Sequence, residues 1–122
     1  MMTTNTVYAE MAEAPIDNLP EPTPEQIVQV TFGDKSDIML AIAQCESGQS
    51  QFKEDGTPVT SHTNDWGYFQ INATSWDKVA VEKGLDYKND LTDNITMARY
   101  IYEKQGLRAW STFKNGCYKK YI

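Results

Sequence analysis

The stretch SDIMLAIAQCESG, residues 36–48, decides the fold because it carries the clearest helical pattern in the chain. Ser36 and Asp37 supply an N-cap and a first-turn acid, and Gly48 is suited to end a helix in the left-handed conformation. The apolar residues of the stretch recur at helical spacing and share one face: Ile38, Ala41, Ile42 and Cys45. The pattern therefore predicts a helix with Glu46 in its last turn.

The remainder of the chain predicts a short β element followed by two more helices. Turn residues lead into the apolar-rich sequence WGYFQIN, residues 66–72, which we interpret as a small hairpin or an irregular loop. Thr74 is placed to cap a second helix that ends at Gly84, and a third helix begins near Asp90 and ends at Gly106. The predicted fold class is therefore α+β, mostly helical, with a small β-hairpin.

Residues 1–25 differ in composition from the rest of the chain. They contain five acidic residues, four prolines and no lysine or arginine. They also lack a hydrophobic period, which favours a disordered or extended segment. Residues 26–122 are sufficient for one domain with a hydrophobic core. The whole chain has 11 basic and 17 acidic residues and no dense basic face, so we exclude nucleic acid as a partner.

Several other kinds of site are not predicted. His62 is the only histidine, so a metal cluster or a Ser-His-Asp triad would need unusual partners. The sequence has no glycine-rich phosphate loop and no dinucleotide-binding motif, and we therefore expect neither a metal nor a cofactor. It also has no apolar run of about 18 residues and no signal-peptide pattern, so neither a transmembrane segment nor an export signal is predicted.

Two carboxylates are candidates for chemistry. Glu46 lies beside the apolar stripe in the last turn of its helix, where partial burial and the helix dipole would both favour the protonated form that a general acid needs. Asp65 lies at the entrance to the predicted hairpin, and a hairpin that returns over the helix end would place it opposite Glu46, as in a glycosidase. The alternatives are a solvated Glu46 at a frayed helix end and an Asp65 that caps a turn.

Two short motifs around these carboxylates resemble those of known families. AQCESG, residues 43–48, resembles the catalytic Glu-Ser motif of lysozyme-like and soluble-lytic-transglycosylase-like domains, and its cysteine resembles that of the resuscitation-promoting factors. DWGYFQIN, residues 65–72, resembles a stretch of animal c-type lysozymes and the Gly-x-x-Gln core of transglycosylases. Both motifs come in the order that these families have.

Two further resemblances lie downstream. Residues 90–105 resemble a helix of transglycosylase domains, with Ala98 in place of its glycine and Ile101, which lies between two tyrosines, at the position of its tyrosine. RAW, residues 108–110, followed by Cys117 resembles the C-terminal tryptophan and cysteine of small bacterial relatives. The four motifs together cover roughly residues 36–117.

The resemblance implies a lysozyme-like fold and a glycosidase that cleaves the MurNAc–GlcNAc β-1,4 bond of peptidoglycan. It leaves open hydrolysis, as in lysozymes, and formation of a 1,6-anhydro product, as in lytic transglycosylases. Glu46 and Asp65 would be catalytic, and Cys45 and Cys117 would form a disulfide. The residues that the motifs place at the substrate are Ser47, Gln70, Asn72, Tyr100, Tyr102 and Trp110. Gln70 is equally open to a structural role in shaping its loop.

The same resemblance implies a partner and a location. The partner would be peptidoglycan glycan strands, and the protein would be a monomer in an extracytoplasmic location: secreted, periplasmic or associated with the cell wall. The alternative is a catalytically silent glycan-binding module that keeps the fold without the activity.

Overall fold

Five α-helices and one two-stranded sheet form the structure that the computed structural model describes for residues 19–122. In chain order the elements are α1 (Pro24–Phe32), α2 (Ser36–Ser47), β1 (Asp65–Trp66), β2 (Ile71–Asn72), α3 (Ala73–Lys83), α4 (Leu91–Gln105) and α5 (Ser111–Lys114). Short 3-10 helices lie at Gly33–Lys35, Leu107–Ala109 and Cys117–Tyr121. The predicted α+β class, mostly helical with a small β-hairpin as in a lysozyme-like fold, is confirmed.

Helix α1 was not predicted from the sequence. Thr23 caps it, because the Thr23 hydroxyl accepts the backbone N–H of Gln26 at 3.1 Å and the Gln26 side chain accepts the Thr23 N–H at 2.9 Å. The helix buries Val28 and Phe32 in the core. Of the segment predicted to be disordered, residues 1–18 lie outside the described residues, and Pro24 and Glu25 belong to α1.

Helix α2 has the predicted bounds at its C-terminal end. Gly48 takes the left-handed conformation, with φ 68° and ψ 27°, and its N–H bonds to the carbonyl groups of the last turn. The predicted N-cap is wrong, since Ser36 is the first helical residue and its hydroxyl donates to the Gly33 carbonyl oxygen at 2.6 Å. The physical reason is that the 3-10 helix at Gly33–Lys35 runs directly into α2.

The hairpin pairs β1 with β2 in an antiparallel register, Asp65 with Asn72 and Trp66 with Ile71. Its turn passes close to other parts of the chain at Gly67, where φ is +82° and an added Cβ would lie 2.6 Å from both polar atoms of the Gln51 side chain. Only glycine fits there, because a side chain would meet both the positive φ and the neighbouring amide. The turn therefore packs tightly onto the buried polar residues beneath it.

Helices α3 and α4 begin at polar caps. The predicted cap of α3, Thr74, is wrong, because the helix begins directly after β2 and the Asn72 side chain accepts the Ser75 N–H at 2.9 Å. Asp90 caps α4 as predicted and accepts the Asp93 N–H at 2.8 Å.

The core lies where α1, α2 and α4 surround the turn of the hairpin. Its largest buried side chains include Tyr68 and Phe69 from that turn and Phe32 from α1. Within residues 19–122, no helix has the length and apolar character that a membrane span requires.

Candidate active site

Glu46 lies in the last turn of α2, half-buried at the edge of a cleft. Burial raises the pKa of this carboxyl group, and the negative charge of Asp65 acts in the same direction. The hydroxyl of Thr112 donates to Glu46 Oε2 at 2.7 Å, and this hydrogen bond acts to lower the pKa. The pKa of Glu46 is nevertheless raised, because burial is the largest effect. Glu46 therefore holds a proton to a higher pH than an ordinary glutamate.

Asp65 is the first residue of β1 and has the opposite electrostatic character. Burial acts to raise its pKa, but hydrogen bonds outweigh this effect, so that the pKa lies below its usual value. The hydroxyls of Ser61, at 2.8 Å, and of Thr63 donate to Oδ2, and the Asn72 amide donates to Oδ1 at 3.0 Å. Asp65 is therefore ionised under conditions in which Glu46 retains its proton.

The two carboxyl groups line one cleft of about 180 Å³. Its other walls carry apolar side chains, among them Trp76, Ile101 and Trp110, together with the cation of Lys114. Among residues 19–122, no group of three or more histidine, cysteine, aspartate or glutamate side chains is placed to hold a metal ion. The arrangement brings a carboxyl group with a raised pKa and another with a lowered pKa to the same space, which suits acid-assisted cleavage of a glycosidic bond.

Of the residues that the motifs place at the substrate, Gln70, Asn72 and Trp110 line the cleft. The Gln70 amide donates to the carbonyl oxygens of Val59 and Gly67 at 3.1 and 2.9 Å, and so holds the shape of its turn. Asn72 caps α3 with one atom of its amide and contacts Asp65 with the other.

Trp110 anchors the floor of the cleft. It is 5% exposed, and its indole N–H donates to the Phe69 carbonyl oxygen at 3.0 Å. Its ring also packs against the Phe69 ring, with centroids 6.0 Å apart. The ring is thus held in place and exposes only a small part of its surface to the cleft that it lines.

Ser47 and the two tyrosines do not line the cleft. The Ser47 hydroxyl donates to the Tyr68 carbonyl oxygen at 2.7 Å, and so links α2 to the hairpin turn. Tyr100 packs edge-on against Trp76, with ring centroids 6.1 Å apart, and Tyr102 packs edge-on against Phe32 at 5.9 Å. Ile101, between these tyrosines, is the residue of this helix that reaches the cleft.

A disulfide joins Cys45 to Cys117, as the resemblance implied. Cys45 is adjacent to Glu46, and the 3-10 helix at Cys117–Tyr121 packs on α2. The C-terminal segment is thus fixed covalently beside the glutamate.

Sequence reasoning missed three polar residues on which this geometry depends. Asn94 and Gln51 are buried beneath the hairpin: Asn94 Oδ1 accepts the Phe69 N–H at 2.8 Å, and Gln51 Oε1 accepts the Tyr68 N–H at 2.9 Å. The third is Thr112, the hydrogen-bond partner of Glu46. Asn94 lies within residues 90–105, which resemble a helix of transglycosylase domains, whereas no local pattern marks the other two.

The chain is similar to animal lysozymes. It is 42% identical over 69 residues to lysozyme P of Drosophila melanogaster, covering 48% of this chain and 49% of that protein. It is 34% identical over 79 residues to lysozyme c-1 of Anopheles gambiae, covering 57% and 55% of the two chains. It is 28% identical over 88 residues to the tracheal isozyme of lysozyme C of Bos taurus, covering 64% and 59%.

The similarity thus spans about half to three fifths of the length of these relatives. No family model matches the chain, and no solved structure matches it.

Proposed function

Since the chain belongs to the lysozyme-like superfamily, we propose that it is a muramidase that cleaves the β-1,4 bond between MurNAc and GlcNAc in peptidoglycan. The observation that carries the proposal is the pair of carboxyl groups in one cleft, Glu46 with its pKa raised and Asp65 with its pKa lowered. This division of roles between an acid and an ionised carboxylate is the one described for lysozymes in general.

In the proposed mechanism, Glu46 gives its proton to the glycosidic oxygen as the bond to the anomeric carbon breaks, so that the leaving sugar departs as an alcohol. The Asp65 carboxylate then stabilises or bonds to the positively charged anomeric carbon. A water molecule attacks this carbon and returns a proton to Glu46. The products are two shorter glycan chains, and both carboxyl groups regain their starting states.

The residues in and around the cleft divide into two groups in this proposal, those that line it and those that support it. Trp76 offers an apolar ring surface for sugar rings, the largely buried Trp110 supports the wall of the cleft, and Gln70 and Asn72 bring polar groups to the same space. Ser47, Tyr100 and Tyr102 act from behind the cleft, because their side chains contact protein groups that support it.

Hydrolysis is favoured over the formation of a 1,6-anhydro product. Transglycosylases need a single glutamate, whereas here an ionised Asp65 lies in the same cleft as Glu46. The similar proteins are also lysozymes by name. Both observations favour hydrolysis, and the first gives Asp65 a part in the proposed reaction.

The proposal extends to location and partner. A disulfide persists in oxidising compartments, so the Cys45–Cys117 bond supports an extracytoplasmic location. The proposed partner is peptidoglycan glycan strands, which the protein would meet as a monomer.

Mass spectrometry of purified peptidoglycan digested with the protein tests the proposed function. We expect muropeptides with reducing ends from the wild type, none from Glu46→Gln, and unchanged products from the control variant Glu82→Gln, which alters an exposed glutamate of α3. Anhydro products would assign a transglycosylase instead. Glycan binding without any products would assign the silent binding module.

A further inference from the structure

We propose that the Thr112 hydroxyl positions the Glu46 carboxyl group for proton transfer, by occupying Oε2 and leaving Oε1 as the oxygen that carries the proton. This inference rests on the proposed function and deepens it, because it names a positioning residue for the same reaction. Thr112 lies in α5, far from α2 in the sequence, and no motif in the sequence marks it.

The contact is a directed one. The Thr112 hydroxyl donates to Glu46 Oε2 at 2.7 Å, a length typical of a strong O–H···O hydrogen bond. Both side chains are half-buried, so bulk water competes less for the carboxyl group than it would at the surface. The backbone amide of Thr112 also favours the ionised carboxylate.

The chemistry of a carboxylic acid gives this contact a consequence. A protonated carboxyl group has one O–H and one carbonyl oxygen, and an external donor prefers the carbonyl oxygen as its acceptor. In the proposal the Thr112 hydroxyl keeps its donor role when Glu46 is protonated, so that Oε2 is the carbonyl oxygen and the proton lies on Oε1. A general acid works only when its proton lies within hydrogen-bond reach of the leaving oxygen.

The segment that carries Thr112 is fixed on both sides. Two residues earlier, the Trp110 indole donates to the Phe69 carbonyl oxygen at 3.0 Å. Five residues later, Cys117 is bonded to Cys45, the residue before Glu46. The donor and the carboxyl group are thus held in one frame, which is what orientation of a proton requires.

Other charged groups face Glu46 as well. Asp65 lies on the hairpin side of the cleft and Lys114 on α5, and both line the same space. The charge of Asp65 opposes ionisation of Glu46, whereas the Thr112 hydroxyl favours it. Replacing Thr112 removes its hydrogen bond to Glu46 and leaves the charges of Asp65 and Lys114 in place. The effect of the hydroxyl on the pKa of Glu46 can therefore be measured separately from theirs.

The test compares Thr112→Val, which keeps the shape but removes the donor, with Thr112→Ser, which keeps the donor. Thr96→Val, on an exposed part of α4, serves as a matched control. Two properties are measured for each protein: kcat and KM across pH on peptidoglycan, and the titration midpoint of Glu46 by carbon-13 NMR of labelled glutamate. The NMR titration of Glu46 does not require catalysis.

We expect Thr112→Val to raise the Glu46 midpoint by about one pH unit, because a donor that favours the carboxylate is lost. The alkaline limb of kcat/KM should move upward by the same amount, since activity disappears as Glu46 loses its proton. At the plateau, kcat should fall about tenfold with KM little changed, because the proton is no longer directed. Thr112→Ser and Thr96→Val should match the wild type in the Glu46 midpoint, in the alkaline limb and in kcat at the plateau.

Two results would overturn the inference. One is an unchanged midpoint and an unchanged kcat in Thr112→Val, and the other is a Thr112→Ser variant that behaves like Thr112→Val, which would assign the effect to packing of the methyl group. If the wild type yields no cleavage, the proposed muramidase fails and with it the proton transfer that Thr112 serves. In that case the NMR midpoint still reports whether the hydrogen bond to Glu46 exists.

Discussion

The cleft has two walls, and they support their carboxyl groups by different means. The helical wall, formed by the end of α2 and residues 110–117, gives Glu46 one hydroxyl donor and is closed by a disulfide. The hairpin wall, β1 and β2 together with the loop that precedes them, gives Asp65 three side-chain donors and rests on buried amides. Burial with a single hydroxyl donor raises the pKa of Glu46, whereas three side-chain donors lower the pKa of Asp65.

The covalent support of the helical wall is tested by replacing Cys45 and Cys117 together with serine. The disulfide spans 72 residues, so its loss should lower the free energy of unfolding by about 4 kcal/mol, because the unlinked chain has more unfolded conformations. Urea denaturation followed by tryptophan fluorescence measures this change. A reductant should produce a similar loss in the wild type and none in the variant, and a loss below about 1 kcal/mol would contradict the expectation.

The tight turn of the hairpin wall is tested by Gly67→Ala. The added Cβ would lie 2.6 Å from the Gln51 amide at a φ of +82°, so we expect a loss of about 3 kcal/mol in the free energy of unfolding, from overpacking and backbone strain together. Gly56→Ala is the matched control, because its φ is +87° but its Cβ would meet nothing within 4 Å. It should lose only about 1 kcal/mol, the cost of the backbone conformation alone. Equal losses in the two variants would mean that the buried amides do not restrict the turn.

The charge of the hairpin wall is tested by Asp65→Asn. If Asp65 stabilises the positive charge of the reacting sugar, kcat should fall about 100-fold, which corresponds to about 2.7 kcal/mol. The pKa of Glu46 should also fall, since the Asp65 charge is one of the causes that raise it. The alkaline limb of kcat/KM should therefore move to lower pH.

The control for this variant is Asp55→Asn, which changes an exposed aspartate outside the cleft. Its rate and its alkaline limb should match those of the wild type. An Asp65→Asn variant with wild-type kcat would indicate that Glu46 acts alone, and the 1,6-anhydro pathway would then become the better account.

The two walls also differ in how far the sequence could predict them. Periodicity and turn residues are local signals, and they predicted α2 with Glu46 in its last turn and a small hairpin or irregular loop with Asp65 at its entrance. Helix α1 was missed although Thr23, Pro24 and Gln26 form a capping-box pattern, because the prolines around it suggested a linker. The hydrogen bond between Thr112 and Glu46 joins residues 66 positions apart, and only the folded chain brings them together.

The smallest effect is expected from Asn72→Ala, which removes one of the three donors to Asp65 and the cap of α3. The pKa of Asp65 lies below its usual value partly because of this donor, so the variant should raise it. Activity requires ionised Asp65 and is lost as pH falls through this pKa, so the acid limb of kcat/KM should move to higher pH. Loss of the cap should also lower the free energy of unfolding by about 1 kcal/mol.

Asp90→Ala separates these two effects, because Asp90 caps α4 through the Asp93 N–H and does not line the cleft. Both variants should lose a similar free energy of unfolding, but only Asn72→Ala should move the acid limb. If Asp90→Ala moves it equally, the shift comes from general loosening of the fold. If neither variant moves it, the remaining donors from Ser61 and Thr63 are sufficient to keep Asp65 ionised, and the hairpin wall has more hydrogen bonds than its electrostatic role requires.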